Sequence, residues 1–229
     1  MKLEPRQNPL FKTAADGQGE TVIDAKNLKT PYTVKGKAAT AMQIRKLLRK
    51  ETAAEAIGDL YPECSIFGIT KGQFSLIELI SVILKQTGPA DVFLSTWTAA
   101  GGDLTEAHGF LKSGTMRRFR CLVDATFQRR KPAFAAKIRE LFGIESIRVT
   151  RNHAKFCLIR NEKWDLVINT SMNLNTNPRL EDFLIQDNIK LADFLQGLMD
   201  EIFDRIKPKS LYDTSKANEE IYKKLWKKN

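Results

Sequence analysis

Residues 151–175 read RNHAKFCLIRNEKWDLVINTSMNLN, and the fold turns on this stretch. Two runs rich in β-branched and aromatic residues, HAKFCLI and WDLVINTS, flank a polar stretch at 160–163. That is the pattern of two antiparallel strands joined by a turn. Alternate residues of a strand share a face, so His153, Lys155, Cys157 and Ile159 are expected on one side. Ala154, Phe156 and Leu158 are expected on the other. Ser171 and Asn173 share a face of the returning segment. A hairpin sets the start of one strand opposite the end of the other, which brings an imidazole, an ammonium, a hydroxyl and an amide to one surface. Such a set suits a phosphate, with donors for its oxygens and one group able to act as a nucleophile.

Outward from the hairpin, apolar runs alternate in type. SIFGIT, DVFLSTW, RRFRCLVDATF, SIRVTR and RLEDFLIQD read as strands. SLIELISVILKQTG, LTEAHGFLKSG, KPAFAAKIRELFG and NIKLADFLQGLMDEIFDRI have helical spacing, several with glycine at the end. Strands alternating with helices predict an α/β domain on a mixed, largely parallel sheet flanked by helices, and the hairpin supplies the antiparallel part. That domain is expected over residues 61–207. Ahead of it, residues 1–60 read as an extension: a polar arm with a short strand at TVID, then a basic helix from Ala39. Residues 208–229 read as a basic helical tail. No internal repeat interrupts this order.

The 229 residues carry 37 Lys+Arg against 27 Asp+Glu, a formal charge of +10. A polyanion is the expected partner, nucleic acid first among them. Clusters stand at Arg117, Arg118 and Arg120, at Arg129, Arg130 and Lys131, at Arg45, Lys46, Arg49 and Lys50, and at Lys223, Lys224, Lys227 and Lys228. Cys64, Cys121 and Cys157 are scattered in apolar runs without zinc-type spacing, which predicts reduced, buried thiols as in a cytoplasmic protein. The N-terminal stretch lacks the apolar core of a secretory signal, and no apolar run is long enough to span a membrane. Trp97, after a strand, is expected in the core, with a rim position for base stacking as the alternative.

His153-Ala154-Lys155 and Thr170-Ser171-Met172-Asn173 together resemble the His-x-Lys and Gly-Ser-x-Asn signature of the phospholipase D superfamily. The likeness extends over about residues 65–206. It departs from the family in two residues, threonine for the usual glycine at 170 and Arg160 at the position of the usual aspartate, and its Ser-x-Asn arrives three residues later than usual. Asp165 is a nearby carboxylate but out of register. The resemblance implies phosphodiester chemistry with no metal and no cofactor. In that reading His153 attacks phosphorus, Lys155 and Asn173 hold the non-bridging oxygens, Ser171 adds a hydrogen bond, and Glu181 orients the histidine.

Such chemistry needs a second proton donor, and the chain has one copy of the motif. The resemblance to the small single-motif nucleases implies a homodimer that joins two copies of His153. His108, on a helix without a lysine two residues on, is the weaker alternative. The reading is therefore a metal-independent nuclease. A catalytically silent nucleic-acid-binding protein and a lipid phosphodiesterase are the competing ones.

Overall fold

The computed structural model describes residues 43–44, 52–97, 101–124, 132–150, 152–174, 180–206 and 208. In chain order its elements are strand β1 (Gln43–Ile44), helix α1 (Ala53–Ile57), β2 (Ser65–Thr70), α2 (Leu76–Thr87), β3 (Ala90–Thr96), α3 (Gly101–Lys112) and β4 (Met116–Asp124). There follow α4 (Pro132–Phe142), β5 (Ile147–Thr150), β6 (Phe156–Arg160), β7 (Asp165–Thr170), β8 (Glu181–Asp187) and α5 (Ile189–Arg205).

The 8 strands form one sheet in the order β1-β2-β8-β7-β6-β3-β4-β5. β1 with β2, β3 with β4 and β4 with β5 are parallel, and the central pairings from β2 through β8, β7 and β6 to β3 are antiparallel. All strands except β6 and β8 therefore run in one direction. The sheet is mixed, as the strand–helix alternation with an inserted hairpin predicts.

Local chemistry sets the element ends. α2 opens on a capping box: Glu78 N–H donates to Ser75 Oγ, and Ser75 N–H donates to Glu78 Oε2. Such a cap is worth about 1 kcal/mol. The helix stops at Gly88, whose φ of 78° favours glycine and whose N–H reaches the Leu84 carbonyl.

Each strand then sends alternate residues to two faces. On one face Leu94, Cys121, Cys157, Ile168 and Ile185 bury against α1, α2, α3 and α4. On the other, Phe93, Leu122, Phe156, Leu158 and Val167 pack on Ala192, Leu195, Met199 and Phe203 of α5. The sheet is thus covered on both sides.

Two expectations are corrected. The helix read from Ala39 does not run through 43–44, which pairs instead with Ile66 and Phe67 of β2; strand pairing overrides a modest local propensity. Among the described residues helical structure begins at Ala53, capped by the Thr52 hydroxyl, and Ala53, Ala56 and Ile57 bury in the main core. The packed unit therefore starts ahead of residue 61. TVID, the basic residues Arg45, Lys46, Arg49 and Lys50, the Arg129, Arg130 and Lys131 cluster and the tail from 209 onward lie outside the described residues. Among the described residues no helix is long and apolar enough to cross a membrane.

Candidate active site

Buried polar side chains gather at one rim of the sheet. Thr70, Thr96, Asp124 and Thr150 end β2, β3, β4 and β5, Ser95 adjoins Thr96, and Asn152 follows β5; all six are buried. β7 ends at the same rim, and β6 and β8 begin there. The carboxyl ends of co-directed strands are where α/β sheets place ligand sites.

The His-x-Lys stretch crosses this rim. The ladder of β6 starts at Phe156, so His153 and Lys155 lie in the irregular segment before it rather than on the strand itself. The physical reason is Asn152, which diverts the backbone. Its N–H donates to Asp124 Oδ2 at 3.0 Å, its Nδ2 donates to Ser95 Oγ at 2.9 Å, and its Oδ1 accepts the Ala154 N–H at 3.1 Å. Ser95 Oγ then donates to the Ala154 carbonyl at 2.9 Å. His153, between these anchors, is exposed, with its ring edge-on to Trp97 at a centroid distance of 5.7 Å. Trp97 is thus half-buried at the rim against the histidine, not a core residue. Lys155 is half-buried and its Nζ reaches back to the His153 carbonyl at 3.4 Å.

The second half of the motif meets it across the hairpin. Thr170 N–H donates to the Lys155 carbonyl at 3.3 Å, which sets the Thr-Ser-x-Asn segment beside the lysine. Ser171 Oγ donates to Glu181 Oε2 at 2.5 Å and accepts the Asp182 N–H at 2.9 Å. Glu181, at the start of β8, is therefore tied to the serine. Asn173 has its amide oxygen buried without a hydrogen-bond partner, an unsatisfied acceptor beside Leu174, which is buried too.

Both departures from the family signature have structural work. Thr170 Oγ1 donates to the Asp182 carbonyl at 2.6 Å and accepts the Met172 N–H at 2.9 Å, closing the turn that glycine would leave open. Arg160, at the far end of β6, donates Nε to Asp165 at 2.7 Å, Nη1 to Gln196 at 2.7 Å and Nη2 to Asp193 at 2.8 Å. It ties the hairpin to α5. Burial works against its charge, but Asp193 and Asp165 outweigh that and raise its pKa. Asp165 serves this ion pair.

The arginines of β4 stand elsewhere. Arg117, Arg118 and Arg120 lie between the amino end and the middle of that strand, roughly 23, 20 and 13 Å along it from Asp124 at ~3.3 Å per residue. Arg117 pairs with Glu162 at 2.5 Å, Arg118 with Asp91 at 2.8 Å and Arg120 with Asp200 at 2.5 Å. The structure thus does not bring these three to the histidine. His108 also lies apart, edge-on to Phe142 at 5.7 Å between α3 and α4. All three cysteines are free and buried; burial pushes Cys121 up to about 12 and raises Cys64 and Cys157 as well, so none is a poised nucleophile. Among the described residues no three His, Cys, Asp or Glu side chains are gathered as a metal site.

No family model matches the chain, and no curated protein matches it. Similar solved structures include a polyphosphate kinase from Porphyromonas gingivalis (12% identity, TM-score 0.46, covering 63% of this chain and 26% of that one). NucT from Helicobacter pylori is similar at 11% identity, TM-score 0.45, 63% of this chain and 99% of that one. A phosphatidylserine synthase from Haemophilus influenzae Rd KW20 is similar at 15% identity, TM-score 0.41, 72% of this chain and 46% of that one. The chain spans about a quarter of the kinase and about half of the synthase. The likeness is one of fold and carries nothing about activity.

Proposed function

We propose that the protein is a metal-independent phosphodiesterase, and specifically a nuclease acting on DNA or RNA, with His153 as nucleophile. The observation that carries this reading is the meeting of both motif halves at one rim. His153 is exposed, Lys155 lies behind it, and the Ser171 and Glu181 pair and Asn173 stand across the hairpin.

In the first step an imidazole nitrogen of His153 attacks phosphorus, the bond to the leaving oxygen breaks, and a phosphohistidine forms. Lys155 and the Asn173 amide stabilise the charge on the non-bridging oxygens. The leaving oxygen takes a proton from a general acid, which we assign to His153 of a second copy in a homodimer. In the second step water attacks phosphorus, loses its proton to that imidazole, and the phosphorus–nitrogen bond breaks. Glu181, held by Ser171, is assigned to orienting the imidazole. The polyanion is assigned to the basic clusters at Arg129, Arg130 and Lys131 and at Arg45 and Arg49, on their charge in the sequence. Arg117, Arg118 and Arg120 would serve only a strand long enough to reach the other rim.

The test is cleavage of single- and double-stranded DNA and RNA, with phospholipid vesicles as a further substrate, in excess EDTA. Wild type is compared with His153→Ala. Cleavage of nucleic acid that survives the chelator and is lost in the variant supports the reading. Equal cleavage by both proteins overturns it. Turnover of phospholipid alone makes the protein a lipid phosphodiesterase, and salt-sensitive binding without turnover makes it a binding module.

A further inference from the structure

We propose that Asn152 is a positioning residue for His153, and that Ser95 and Asp124 complete the clamp through which it acts. This rests on the reading of His153 as the nucleophile. The clamp itself is a matter of geometry.

A single planar amide makes both ends of the fixation. Oδ1 takes the Ala154 N–H, closing a tight turn around His153, while Nδ2 holds Ser95 on the neighbouring strand. Asn152 N–H is held by Asp124, one strand further on. Ser95 returns to the Ala154 carbonyl, so both backbone groups of the residue after the histidine are fixed to buried partners. Ser95 is 0% exposed, Asn152 8% and Asp124 9%. Three polar side chains buried this deeply carry a desolvation cost that an apolar trio would not, and here each is spent on backbone geometry at one point. The result is an exposed imidazole on a rigid backbone, its ring lying edge-on to Trp97. Nucleophilic attack needs that rigidity, because a displacement of about 1 Å costs about 100-fold in rate.

The chain has only two histidines, so the imidazole Cε1–Hε1 region of an NMR spectrum of the full-length protein holds two signals. His153→Ala assigns them. His153 carries the ring-current shift of Trp97, and His108, edge-on to Phe142, is an internal control for the fold. In Asn152→Ala the His153 signal moves toward the position of a free imidazole and the His108 signal stays. Cleavage falls about 100-fold in kcat with KM changed less than about threefold. Asn152→Asp keeps the acceptor for Ala154 and recovers part of both effects. If Asn152→Ala does not fold, Ser95→Ala carries the same measurement.

A His153 signal that stays in place in Asn152→Ala overturns the clamp, whether or not activity falls. If wild type cleaves no phosphodiester but the signal moves, the clamp stands and the nuclease reading fails. If wild type cleaves and both signal and kcat are untouched, the clamp alone fails.

Discussion

The Ser171 hydroxyl gives its one proton to Glu181 at 2.5 Å and accepts from the Asp182 N–H at 2.9 Å. A serine so engaged has no second proton for a phosphate oxygen. Its part is to hold Glu181, which differs from the phosphate contact the family resemblance implies. Ser171→Ala and Glu181→Ala should each lower stability by ~1.5–3 kcal/mol, the scale of a hydrogen bond to a charged group. The double variant should lose clearly less than the sum, because both changes remove one interaction. Urea unfolding of the four proteins checks this, and strict additivity would sink it.

Thr170→Gly restores the usual family residue and should weaken the protein. It removes the hydroxyl that bonds the Asp182 carbonyl and the Met172 N–H and frees the backbone of a turn. A loss of about 1–2 kcal/mol is expected. Thr170→Ser, which keeps the hydroxyl, should retain most of it. The midpoint of urea unfolding for the two variants separates the outcomes.

Arg160→Asp, the other return to the family signature, is expected to do worse. It leaves Asp165 and Asp193 without their cation and sets a third carboxylate beside them. The Arg160 side chain is 18% exposed and Asp165 23%, so the loss should fall somewhat below that of a fully buried pair, at about 2–3 kcal/mol. Thermal unfolding measures it. An unchanged or higher Tm would mean the ion pairs contribute nothing.

Asp103, in the first turn of α3, has its Oδ2 buried without a hydrogen-bond partner. Burial, then Glu106 and Glu78, raise its pKa, against a hydrogen bond from Ser75. A carboxyl with a raised folded pKa binds its proton more tightly folded than unfolded. It favours the folded state at low pH and penalises it as pH rises from the ordinary carboxylate value toward the folded pKa. Asp103→Asn should therefore raise Tm by roughly 2 °C at pH 7, after allowance for its partial exposure, and the gain should shrink as pH falls to ~4. Equal Tm differences at both pH values would count against this.

The strand–helix order was legible because the apolar runs are short, rich in β-formers or helically spaced, and punctuated by Gly88 with Pro89 and by Gly143. The hairpin and the pairing of the two motif halves followed from period and turn alone. The point where the ladder stops did not. His153, Ala154 and Lys155 are compatible with a strand, and what bends them is an asparagine whose partners Asp124 and Ser95 lie 28 and 57 residues away. Its one local sign is an Asn two residues ahead of the N–H it accepts. The role of Arg160 was equally hidden, since Asp193 and Gln196 reach it only once α5 lies across the sheet. The clusters at Arg117, Arg118 and Arg120 looked like free charge because sequence spacing does not show that Glu162, Asp91 and Asp200 stand opposite them.

The hairpin has its His153 end at one rim and its turn at the other, about 16 Å apart over the five residues of β6 at ~3.3 Å each. That turn, 161–164, closes on itself: Asn161 Oδ1 accepts the N–H groups of Lys163 and Trp164, and its Nδ2 donates to the Thr87 and Pro89 carbonyls. Lys163 is exposed and engages the turn through its backbone N–H. It is therefore a natural handle: a fluorophore or surface tether placed there by Lys163→Cys rides on the same two strands as His153 without standing in the path of anything that approaches it.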